Sequence, residues 1–139
     1  MNYAIIGRIL PHLHPDLFRE LQDKYLPVLE VPEHISKIYR YIIENYPDLD
    51  KADTNILFAA AVYTLYSPAS LIGQGIQRAP NYIRQEMCAV LNYPNREMVN
   101  YWQDIARAYI KNPAFNRKVK AIVDAFRPYG EAFSRLADS

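Results

Sequence analysis

His12 and His14 stand two residues apart in a proline-flanked stretch, but a tetrahedral zinc site needs two more ligands. His34 and the single cysteine, Cys88, have no motif spacing to supply them, so no metal site is expected. Asp48, Asp50 and Asp53 resemble the opening of a calcium loop, yet the glycine and closing glutamate required at fixed offsets are missing. Helix capping explains these carboxylates better. Gly73-Gln74-Gly75 carries half of a phosphate-binding glycine motif, with Arg78 at the third glycine position and no strand ahead of it, which reads as a plain loop. Cys88 lies between Met87 and Ala89 with no histidine near in sequence to activate it, so the thiol is expected to pack as a small hydrophobe. No paired acid and base and no activated nucleophile stands out. The sequence points to a non-enzymatic protein without a cofactor.

The elements that would position side chains are marked by ten prolines. Several sit where proline opens a helix without losing a needed N–H bond. Pro15 opens a helix over Asp16 to Leu26, with Leu17, Phe18, Leu21 and Tyr25 on one face, and Pro27 ends it. Pro32 opens the next, in which Ile35, Ile38, Tyr39, Ile42 and Tyr46 recur at helical spacing while Lys37, Arg40 and Glu44 look outward. Asp53 is the expected N-cap of a third helix, whose run Ile56 to Tyr63 is apolar on all sides and belongs in the centre of the core. Ser67-Pro68 begins a short turn to about Ile72, and Pro80 starts a helix through Leu91. Asn92-Tyr93-Pro94 stops that helix, and Asn95 caps a longer one to Lys111. Asn112-Pro113 repeats the cap-plus-proline device ahead of the buried stripe Phe115, Val119, Ile122 and Phe126, and Pro128 closes that helix. A final short turn is expected over residues 131–137.

With 139 residues, half of them apolar, the chain can bury one proper core, and a second domain is not expected. The stretch Met1 to Arg8 has neither a basic leader nor a small-residue cleavage site. The longest apolar run falls well short of the roughly 18 residues of a membrane span. A soluble, cytoplasmic protein that does not cross a bilayer is therefore expected, and a lone cysteine fits a reducing compartment.

The net charge of +1 favours no partner by itself, but its distribution is uneven. Residues 1–73 hold 6 Lys and Arg against 9 Asp and Glu, residues 74–120 hold 8 against 3, and residues 121–139 hold 2 against 3. A basic middle segment is a footprint for nucleic acid or an acidic partner, or else a solvated helix face. Twelve tyrosines add large, polar-tipped contact area of the kind used at protein interfaces. Most are expected at the core edge with the hydroxyl reaching water, and Tyr41, on the polar side of its helix, is the candidate for exposure.

Residues Arg84 to Trp102 form two helices joined by a turn of about three residues, the layout of a helix-turn-helix. Ala89, Val99 and Trp102 stand where that motif places a small residue for close crossing and apolar residues that pin the second helix. Together with the run Gln103 to Phe115, the segment of about residues 53–126 resembles the C-terminal DNA-binding domain of bacterial replication initiators of the DnaA family. Where that family opens its recognition helix with Asp-His-Thr-Thr, this chain reads Asn95-Arg96-Glu97-Met98. The resemblance implies groove reading by the second helix, with Arg96, Asn100 and Gln103 facing bases, arginine suiting guanine and the amides suiting adenine. Arg78, Arg84, Arg107, Lys111, Arg117 and Lys118 would then meet phosphates.

These readings combine into an all-α expectation: a single domain over residues 1–139, an orthogonal bundle of about six helices with a helix-turn-helix-like unit over 80–111. The expected function is non-catalytic binding of double-stranded DNA. The alternative is a small helical adaptor or inhibitor that binds another protein through a Tyr/Arg-rich surface.

Overall fold

The computed structural model describes residues 16, 27–72 and 77–127. These residues form five α-helices and two single 3-10 turns, with no strand among them. The helices are α1 (Ile35–Asn45), α2 (Lys51–Tyr66), α3 (Asn81–Leu91), α4 (Glu97–Tyr109) and α5 (Pro113–Phe126). The 3-10 turns, Pro32–His34 and Pro68–Ser70, precede α1 and follow α2. The described residues are thus all-α. The helix expected over Asp16 to Leu26, the histidine pair at 12 and 14, the Gly73-Gln74-Gly75 loop and the turn at 131–137 lie outside the described residues, Asp16 excepted.

α2 is the centre, as its uniformly apolar sequence dictates. From Thr54 to Val62 every residue is buried, and α1, α4 and α5 pack around it. Its N-cap is Asp50 rather than Asp53. The Asp50 backbone is extended, and its carboxylate accepts from the Asp53 N–H at 2.7 Å. Asp53 therefore sits inside the first turn, where a carboxylate still favours the positive end of the helix dipole.

The other helices are amphipathic. α1 buries Ile35, Ile38 and Ile42 completely, and Tyr39 sets its ring edge-on against Phe58 of α2 with centroids 5.1 Å apart. α5 begins as expected, Asn112 accepting from the Phe115 N–H at 3.1 Å, and it buries Val119, Ile122, Val123 and Phe126. Arg127 is extended (ψ 158°), as the residue before a proline must be. Ser67 does not cap the backbone of its turn, because its hydroxyl is bonded to the Ser70 hydroxyl at 2.7 Å. Tyr41, expected to be exposed, is instead half-buried, its ring edge against Phe126 of α5 with centroids 5.5 Å apart, because α5 packs against that side of α1.

Candidate protein-binding face on the helix pair

The helix pair is joined by a longer turn than the sequence suggested. α3 ends at Leu91 and α4 begins at Glu97. Asn92 takes the left-handed conformation (φ 59°, ψ 46°), and no other described non-glycine residue has positive φ. Its N–H bonds to the Ala89 carbonyl at 3.4 Å, and the Tyr93 N–H bonds to the Cys88 carbonyl at 2.9 Å. This is the two-bond Schellman termination, with asparagine where glycine is commonest. Asn95 then accepts from the Glu97 N–H at 3.0 Å to start α4.

Two further contacts fix the turn on the body. The Tyr93 hydroxyl accepts from Trp102 Nε1 at 2.9 Å and from Asn55 Nδ2 of α2 at 3.2 Å. Cys88 donates its thiol to the Asn95 carbonyl at 3.2 Å. Burial pushes that thiol's pKa up against the opposing pull of Arg96 and Arg84, so the reactive thiolate is disfavoured. Ala89, read as the small residue of a close helix crossing, is exposed and makes no such crossing. Val99 and Trp102 are buried as expected.

α4 buries Val99, Trp102, Gln103 and Ala106, a single stripe at helical spacing. Gln103 is therefore no base reader, being completely buried. Its amide nitrogen donates to the Ser70 carbonyl at 2.9 Å and to the Gln77 carbonyl at 2.8 Å, and its oxygen accepts from Arg78 at 2.9 Å. Arg78 also pairs with Asp104 at 2.9 Å. Arg107 donates to the Ser70 and Ile72 carbonyls at 3.1 and 3.5 Å. Two side chains of α4, Gln103 and Arg107, thus supply partners to the carbonyls of Ser70, Ile72 and Gln77 between α2 and α3, and Gln103 and Asp104 anchor Arg78 of the same stretch.

Asn100 is half-buried, its side-chain oxygen accepting from Arg84 at 3.4 Å. Arg84 donates as well to the Ala79 carbonyl at 3.0 Å and to Asn81. Of the base-reading trio only Arg96 is exposed. Of the six cations expected to meet phosphate, Arg78, Arg84 and Arg107 are occupied within the fold, while Lys111, Arg117 and Lys118 are exposed.

The outward surface of α4 has a different character. Tyr101 is 53% exposed and Met98 41% exposed, with Glu97, Asp104 and Ala108 on the same side. Tyr82 of α3 and Tyr109 at the end of α4 are also exposed. Sequence reasoning missed Met98 and Tyr101. Their signal was present: both fall off the Val99, Trp102, Ala106 stripe of a helix otherwise polar on that side.

Among the described residues no group of three His, Cys, Asp or Glu could hold a metal ion, and no helix is long and apolar enough to cross a membrane. In comparisons with protein-family models, curated proteins and solved structures, the chain matches none.

Proposed function

We propose that this protein is a non-catalytic binding module that docks another protein on the outward face of α4. The observation that carries the reading is the division of α4 into two faces. Of the three groups suited to reading bases, Gln103 is buried and Asn100 is engaged by Arg84, leaving only Arg96 outward, whereas Tyr101 and Met98 are offered to solvent. Aromatic and methionine side chains are enriched at protein interfaces, and tyrosine supplies wide contact with little rotamer entropy to lose. Glu97, exposed on this same face, repels phosphate, so the face around Met98 and Tyr101 suits a polypeptide better than a nucleic-acid backbone.

The test pairs two measurements on the full chain. Affinity-tagged protein is recovered from cells that express it, as wild type and as the Met98→Ala/Tyr101→Ala double variant. A labelled DNA duplex is titrated in parallel at two salt concentrations. The expected result is a stoichiometric protein partner present with wild type and missing with the double variant, and no salt-sensitive duplex binding. Duplex binding that weakens steeply with salt and with Arg96→Ala would overturn the reading.

A further inference from the structure

Two grooves flank the C-terminal half of α4. The first, about 400 Å³, lies where the start of α2, the end of α4 and the start of α5 meet. Leu49, Leu57 and Phe115 give it apolar walls, and Asp53 and Lys118 are exposed at its edge. The second, about 490 Å³, is lined by Leu71, Ile72 and Ile110 and by the charged residues Asp104, Arg107 and Lys111, of which Asp104 and Lys111 are exposed. Ala108 lines both. A single methyl group on the exposed side of α4 is therefore the low pass between two depressions, one mainly apolar and one with apolar walls and a charged rim, each within the size range of ligand pockets.

The charges around the pass are uneven. Lys111, Lys118 and Asp53 form no ion pair with a described residue, whereas Asp104 is engaged by Arg78 and Arg107 is bonded to backbone carbonyls. Two ammonium groups and one carboxylate thus await complementary charge.

We infer that this trough binds a short extended peptide that crosses α4 over Ala108, with an apolar side chain in each groove. Acidic residues of the peptide meet Lys118 at the rim of the first groove and Lys111 at the rim of the second, and a basic residue beyond the first anchor meets Asp53. An extended peptide suits the site because its alternating side chains let two apolar groups straddle a ridge, and the charge pattern fixes its direction. The inference rests on the protein-binding reading and names the partner segment that reading would take.

The experiment titrates the full-length, 15N-labelled chain with capped hexapeptides and follows amide resonances. The probes are Lys-Leu-Glu-Glu-Glu-Phe, whose Leu and Phe share one face of an extended chain, the same residues in reverse order, a version of each with glutamine at the charged positions, and an oligothymidylate. Expected are saturable shifts at Ala108, Lys111 and Phe115 with one charged order, weaker by about tenfold or more with its glutamine version. Ala108→Trp blocks binding by filling the pass, and Lys118→Glu weakens it about tenfold. Both positions are exposed, and unchanged thermal melts separate blocked binding from lost fold. Equal binding of the neutral peptides, an unchanged titration of Ala108→Trp, oligothymidylate shifts on the same residues, or no shift at millimolar peptide would each overturn the inference. A partner lost with Met98→Ala/Tyr101→Ala, found while the peptides fail, would leave the protein-binding reading standing and remove this one alone.

Discussion

α2 and α4 pack against each other and use their surfaces differently. Over its central turns α2 is buried on every side, and its side chains there, Ile56 to Tyr63, do little but fill space. α4 buries one stripe, spends a second, polar set of side chains on holding the chain between α2 and α3, and leaves a third face with Tyr101 and Met98 to solvent. A helix enclosed by its neighbours stabilises the fold and is closed to partners. Function in this protein is to be sought on the helix that the core only half consumes.

The largest expected effect lies in α2. Phe58→Ala removes a fully buried ring together with its edge contact to Tyr39, and is expected to destabilise the protein by about 3–5 kcal/mol in a urea titration. A loss below about 1 kcal/mol would break the picture of α2 as the packed centre. On the inner face of α4, Gln103→Leu keeps the volume but strips partners from the Ser70 and Gln77 carbonyls and from Arg78. A cost of about 1–3 kcal/mol is expected, with faster hydrogen exchange in the segment joining α2 to α3.

Asn92→Ala places a Cβ-bearing residue without local side-chain hydrogen bonding in the left-handed turn, for an expected loss of about 1–2 kcal/mol in the same titration. A gain in stability would mean that the turn is not held as described.

His34 sharpens the comparison through pH. Its Nδ1 is buried without a hydrogen-bond partner, and burial, aided by the nearby charge of Lys37, lowers its pKa below the ordinary 6.5. The unfolded chain therefore binds the proton more readily. The corresponding stability is fully present above pH 6.5 and is lost as pH falls through the lower folded value. His34→Gln is expected to flatten that dependence in melts taken from pH 7.5 down to 5.0.

The smallest effect on stability is expected at the outward face. Met98→Ala should change stability by no more than about 0.5 kcal/mol, and Tyr101→Ala, which loses an edge contact with Trp102, by about 0.5–1 kcal/mol, while both abolish the proposed docking. A larger loss would return these side chains to the core.

Much of the fold could be read from proline, asparagine and apolar period. The Asn112-Pro113 start of α5, the enclosed run in α2 and the isoleucine stripe of α1 are local features that the structure keeps. The N-cap of α2 was misplaced because Asp50 and Asp53 are both plausible caps, and the choice depends on which backbone is extended. Tyr41 was read as outward because period separates the faces of one helix without showing which neighbour, here α5, covers the second face.

The candidate site was less legible. Gln103 lies four residues after Val99 and three before Ala106, so its period already placed it inward, but glutamine's polarity suggested solvent. What keeps it buried is a set of carbonyls more than twenty residues upstream, which no local pattern reveals. Arg78, Arg84 and Arg107 contribute to the basic middle segment as charges, yet their hydrogen bonds face the fold.

The most direct test of the two-faced α4 is site-specific photo-cross-linking in cells, with a benzophenone amino acid at position 101 and, as control, at exposed position 40 of α1. A discrete adduct to one protein from position 101 and none from position 40 is the predicted result. Adducts of equal yield from both positions, or none from 101, would contradict it.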